Sequence, residues 1–349
     1  MRLIARLISL ALIANFFSAP TVSANSVAMT NGACSKSGAS AKVRFLTYKC
    51  ERFEGKLLWR PVENPAEIKA SPQLRYLNSE FKKLAKRLDA TPSFTGYRLE
   101  IEPKIERDLW TKDMKASLDV GFKLMNLFAP TPEKEIGVFL YWNDDWIKGK
   151  LPEWCKPMGA GRACGGEAMT GQTKWFAESQ NHPNTNPKQY EDETQRFYIF
   201  GHFAHEANHI AQHETFRQQG DPNVYEVEPA WLREGGPEFF KILAYAYTYK
   251  TTYSFARSLY VKNIGSRCDV ISLNKLGMNP ENTNGCEYNN GMIAAEYLVW
   301  KNRDIASTLW FHARGARSDG MAKAFQKSYG FSISAFAKEA DRYIASQTS

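Results

Sequence analysis

After its first two dozen residues the chain has no run of about 18 apolar residues, so no integral membrane segment is expected in the mature protein. A long block of one charge is also missing. The 45 Lys and Arg residues alternate with 37 Asp and Glu, for a formal net charge of +8. That pattern describes a solvated surface, and no nucleic-acid partner is expected. No internal repeat and no long low-complexity tract occur, which excludes repeat arrays. Cysteines never fall in C-x-x-C spacing, which argues against a cysteine-ligated zinc module. Histidine is scarce, with 6 in 349 residues, so its placement carries information.

Residues 1–24 read as a secretory signal peptide. Arg2 and Arg6 flank a short basic start, an apolar core too short to span a bilayer follows to Phe17, and Val22-Ser23-Ala24 supplies the small residues of a cleavage site. The mature chain is expected to start at Asn25 and to be exported, either periplasmic or secreted. Asn31-Gly32-Ala33 before Cys34 lacks a lipobox leucine. An even number of cysteines in an exported chain favours disulfides. The expected pairing is local: Cys34 with Cys50, Cys155 with Cys164, Cys268 with Cys286. Each closed loop contributes about 3 kcal/mol in the chain-entropy account.

Residues 25–42 are small and polar and are expected to be poorly ordered. Residues 74–88 carry helical apolar spacing, 97–103 alternate like a half-buried strand, and 107–128 read as a helix stopped by Pro130 and Pro132. Residues 136–142 form an apolar run of strand length. The stretch 150–190 is rich in Gly, Pro and Asn and predicts loops, with one short strand within 165–176. A helix from Glu193 to Gln219 ends at Gly220-Asp221-Pro222, and after Pro229 nearly everything looks helical. The expected fold class is α+β, with a mixed α/β N-terminal subdomain over 25–190 and a mainly helical subdomain over 191–349.

Four of the six histidines fall within twelve residues: His202, His205, His209 and His213. Their spacing places them along one helical face. A core face accounts for one such histidine but not for four, because buried neutral imidazoles need partners. His205-Glu206-Ala207-Asn208-His209 is the H-E-x-x-H pattern, which on a helix lets both imidazoles reach one ion with Glu206 beside it. His202 and His213 lie a turn away and read as supporting or surface residues. Catalytic zinc usually takes three protein ligands. The candidates for the third are Glu226, Glu228, Glu234 and Glu238. Glu228 is separated from His209 by 18 residues but precedes Pro229 in an apparent turn. Glu234 opens a helix with an apolar face and is the favoured ligand. Glu238, one turn further, can accept a hydrogen bond from the non-ligating nitrogen of a ligand histidine. A solvated helix face is the bland alternative for both glutamates.

Trp231-Leu232-Arg233-Glu234-Gly235 through Glu238 and Tyr288-Asn289-Asn290-Gly291 complete the pattern. With H-E-x-x-H, they make the chain resemble the gluzincin zinc metallopeptidases, in their aminopeptidase-like branch, over residues 200–300. The resemblance implies a zincin-like catalytic domain and one Zn2+ per chain bound by His205, His209 and Glu234. It also implies Glu206 as general base, Tyr288 as the hydroxyl that stabilises the oxyanion, and a peptide or protein substrate. Departures include Pro237 in place of a small residue, a longer gap from His209 to Glu234, and no G-x-M-E-N motif for a free substrate amine. The last of these favours an endopeptidase. Two alternatives have no hydrolytic step: a zinc-binding protein of the same fold, and a cationic cell-surface binding module.

Overall fold

The structure is a computed structural model that describes residues 29–93, 95–106, 109–128, 136–141, 146, 174–178, 193–218, 228–262, 268, 271–276, 285–305 and 315–348. The fold is α+β, with two small sheets and a helical C-terminal half. The expected signal peptide over residues 1–24 and the expected Cys155–Cys164 pair lie outside the described residues.

The first sheet was not legible in the sequence. Strands β1 (Ser40–Val43), β2 (Leu46–Phe53) and β3 (Lys56–Pro61) form an antiparallel meander. Its second turn is a two-residue Glu54-Gly55 hairpin with positive φ at both positions, the geometry that matches strand twist. On β2, Leu46, Tyr48 and Cys50 point inward while Lys49 and Glu51 are exposed. The expectation that 25–42 would be poorly ordered is corrected for its described part. Cys34 is bonded to Cys50, Ala33 bridges to Leu58, and the Thr30 amide donates to Glu193 Oε2 at 2.8 Å. Small polar residues have little apolar area to bury, so the ordering comes from these ties.

Helices α1 (Pro65–Ala70) and α2 (Pro72–Ala90) each begin with proline at the first position, where no N–H is missed. Asn64 and Ser71 cap them by accepting from Ala66 N and Leu74 N. The apolar stripe of α2 is Leu74, Leu77, Phe81, Leu84 and Leu88. In the second sheet β4 (Tyr97–Ile101), β5 (Ile136–Leu140) and β6 (Lys174–Glu178) run parallel in that order. Helix α3 (Leu109–Phe128) crosses from β4 to β5. Val138, Phe139 and Leu140 are all buried, as a strand covered on both faces requires. The short strand expected within 165–176 is β6, which runs two residues further.

Helix α4 (Glu193–Gln218) and helix α5 (Ala230–Thr248) form the centre of the helical half. α5 is buried on every side from Ala230 to Ala246. Helices α6 (Tyr253–Val261), α7 (Cys286–Asn302), α8 (Ala316–Asp319), α9 (Met321–Tyr329) and α10 (Ile333–Thr348) complete the chain. Cys268–Cys286 ties the start of α7 to the preceding segment. Glycines set the closest helix crossings. A Cβ on Gly121 of α3 would lie 3.0 Å from Ala204 Cα of α4. Gly235 of α5 meets Gly291 of α7, where a Cβ on either residue would overlap the other helix's backbone. One continuous hydrophobic core links α2, α3, α4, α5 and α7.

Candidate metal centre

α4 and α5 lie side by side, with Gly236 of α5 facing Asn208 and Gln212 of α4. Gly236 leaves Asn208 Oδ1 3.6 Å from where its Cβ would be. The 3.6-residue period of α4 brings His205 and His209 together, their Nε2 atoms 3.0 Å apart. Glu234 enters from α5 with Oε2 3.2 Å from His209 Nε2 and 3.6 Å from His205 Nε2. All three are buried. Among the described residues they form the group of side chains able to hold a metal ion. Glu228 is buried outside that group, although its spacing from His209 also suited a ligand, and Glu226 lies outside the described residues.

His209 has its other nitrogen hydrogen-bonded, and that of His205 lies beside a carboxylate. His209 Nδ1 donates to Gln212 Oε1 at 2.8 Å, and Gln212 Nε2 donates to the Arg233 carbonyl at 2.9 Å. His205 Nδ1 lies 2.9 Å from Glu238 Oε1, which also accepts from Lys241 Nζ at 2.8 Å. An amide oxygen can only accept, so His209 Nδ1 carries the proton and its Nε2 is the nitrogen turned to the group; the Glu238 carboxylate beside His205 Nδ1 favours the same tautomer there. The two Nε2 atoms face each other and the Glu234 carboxylate. Arg233 Nε holds the other Glu234 oxygen at 3.2 Å. Three converging electron-pair donors could hold a positive charge, a proton or a metal ion, at their centre.

The electrostatics carry the same signature. Burial disfavours a charged His209, but Glu234 outweighs it and raises the His209 pKa to about 9, so in the metal-free protein a proton fills the gap. Burial opposes a charged Glu234 as well, and the two histidines hold it far below the carboxylate range. Glu238 is lowered to about 2, with burial overcome by Lys241 and His205. A metal ion held by this group would compete with that proton.

Glu206 sits on α4 between the two histidines, with Oε1 3.5 Å from His202 Nε2. Burial raises its pKa, and His202, His205 and His209 together bring it below the ordinary value, so it stands ionised. Tyr288 stacks on His205 with ring centroids 6.0 Å apart and is 38% exposed. The Gly235–Gly291 crossing places it there, one turn before Gly291 on α7. Burial, then Glu234 and the neighbouring carboxylates, push its hydroxyl pKa up, so it keeps its proton as a donor. His202 borders Glu206 and is partly exposed, while the side chain of His213 is outside the described set.

Sequence reading missed Gln212, Lys241 and Gly201. Gln212 lies three residues after His209, a helical neighbour spacing that could have drawn attention to it. Lys241 is buried and lies against Gly201 of α4, where any Cβ would overlap the lysine stem. No sequence pattern announces that contact. Pro237 lies inside α5, seven residues after Ala230. Comparison of the chain with protein-family models, curated proteins and solved structures gives no match.

Proposed function

We propose that this protein is a zinc-dependent peptidase acting outside the cytoplasm. The observation that carries the reading is the convergence of His205 Nε2, His209 Nε2 and Glu234 Oε2 at 3.0, 3.2 and 3.6 Å from one another. A tetrahedral zinc ion with bonds of about 2.0–2.1 Å separates its ligand atoms by about 3.3–3.4 Å. Two imidazoles and one carboxylate also favour zinc over magnesium or calcium, which prefer all-oxygen shells. Bound there, zinc would lower the pKa of a water from about 15.7 towards about 7 and polarise the scissile carbonyl.

The chain's own residues supply the rest. Glu206, ionised and adjacent to the ligands, accepts a proton from the attacking water and passes it to the leaving amine. Tyr288, protonated and at the edge of the buried group, donates a hydrogen bond to the developing oxyanion. The disulfides Cys34–Cys50 and Cys268–Cys286 fit an oxidising compartment, and no helix among the described residues is long and apolar enough to cross a membrane.

The test is metal analysis of wild type and Glu206→Gln, with cleavage of an unfolded protein substrate assayed alongside. One zinc in each and a loss of about 10³-fold in turnover in the variant are expected. Full turnover in Glu206→Gln, or cleavage that survives removal of zinc by a chelator, overturns the reading.

A further inference from the structure

A proline inside a helix ordinarily only costs stability. It removes the N–H that would bond the carbonyl four residues back, and its ring pushes that carbonyl away from the helix axis. Pro237 lies in the interior of α5, so the carbonyl it releases is that of Arg233. Arg233 and the following residues are buried, and a buried carbonyl left without a partner is costly. In this fold its partner comes from the neighbouring helix, because Gln212 Nε2 on α4 donates to Arg233 O at 2.9 Å. The same amide group turns its oxygen to His209 Nδ1 at 2.8 Å.

An amide can present its oxygen or its nitrogen to a given neighbour, and the choice matters here. With the nitrogen toward His209, Nδ1 would have to accept, the ring proton would move to Nε2, and the lone pair facing Glu234 would be lost. The Arg233 carbonyl can only accept, so it binds the Gln212 nitrogen and leaves the oxygen for His209. Gln212 is almost fully buried, and water cannot substitute freely for either contact.

We propose that Pro237 is a positioning residue for the metal centre: by freeing the Arg233 carbonyl it locks the orientation of Gln212, which holds His209 in the tautomer that presents Nε2 as a ligand. The inference rests on the metal reading of the site but not on peptidase activity. It assigns to α5 two separate contributions: one ligand, Glu234, and the constraint that sets the tautomer of another, His209.

The test measures zinc affinity by competition with a chromophoric chelator, together with the melting temperature of the metal-free protein. Gln212→Met is expected to weaken zinc binding by about 10- to 100-fold, the usual effect of removing the partner of a ligand histidine. Pro237→Ala restores a competing N–H within α5. It should weaken zinc binding by a smaller factor of about three to ten while the metal-free protein melts at the same temperature or higher. A clasp that only joined two helices would lower the melting temperature and leave the zinc affinity of the folded protein alone. In the Gln212→Met background, Pro237→Ala should cause no further loss of affinity. Wild-type zinc affinity in Pro237→Ala, or additive losses in the double variant, overturns the proposal while leaving the metal site intact. Absence of zinc binding by the wild type overturns both.

Discussion

Among the buried polar clusters of the described residues, two in the helical half are built on opposite plans. Between α6, α7 and α10, Glu296 accepts from the Tyr253 hydroxyl at 2.7 Å, from the Tyr343 hydroxyl at 2.5 Å and from Arg257 Nε, while Arg257 Nη2 reaches Gln347 at 2.8 Å. Donors there meet acceptors, and burial with Glu296 beside them raises both tyrosine pKa values. Between α4 and α5 the balance fails without an added proton or cation: two imidazole Nε2 atoms and a carboxylate oxygen face one another. A saturated cluster holds helices together. One with a surplus of acceptors is arranged for a cation. The distinction comes from counting donors and acceptors, because burial and charge are alike in both.

Removing Arg257 should break the comparison most sharply. Arg257→Met leaves Glu296 buried without its cation, and a loss of about 3–5 kcal/mol is expected in denaturant unfolding of the metal-free protein. His209→Ala should abolish tight zinc binding; above about pH 9, where the crowded site has lost its proton, it should change metal-free stability by no more than about 1 kcal/mol, whereas at neutral pH it also removes the cation paired with Glu234. Equal destabilisation by the two substitutions above about pH 9 would erase the difference between the clusters. Next in size is Tyr288→Phe. It should raise the barrier to hydrolysis by about 3 kcal/mol, roughly a hundredfold in kcat, with zinc content and melting temperature unchanged. Wild-type kcat in that variant would remove Tyr288 from the chemistry.

The smallest expected effects concern the glycines that bring the metal centre and α7 together. Gly291→Ala forces α5 and α7 apart and should cost about 1–3 kcal/mol of stability, with a further fall in kcat as Tyr288 leaves His205. Gly236→Ala adds a methyl whose nearest neighbour is Asn208 Oδ1 at 3.6 Å. It should hold or gain up to about 1 kcal/mol, since alanine is the better helix former. Thermal unfolding of both variants decides whether the close crossing is confined to Gly235 and Gly291.

Much of the fold was legible where one physical period dominated a long stretch. Leu74 to Leu88 repeats at helical spacing and α2 follows it, and residues 136–142 are an apolar run of strand length in which β5 occupies Ile136–Leu140. The antiparallel sheet was not read, because its strands are short, carry charges on their exposed face and follow a polar segment. What orders it is a bridge between Cys34 and Cys50 together with contacts to Glu193 and Tyr249, far away in the chain. The local pairing expected for Cys34 with Cys50 and for Cys268 with Cys286 is what the structure shows.

The sequence by itself determined that His205, Glu206 and His209 share a stretch of one helix, since helical period depends only on neighbours along the chain. It also narrowed the third ligand to a few glutamates. Only the tertiary structure chose Glu234 over Glu228, set Tyr288 against His205, and gave each histidine its Nδ1 partner. Those choices depend on how closely two helices approach. Here the α5–α7 distance, which places Tyr288, is set by absent Cβ atoms at Gly235 and Gly291, and in our proposal the His209 contact depends on a missing N–H at Pro237. Each absence acts on a residue of another segment, and so it has meaning only once the chain is folded.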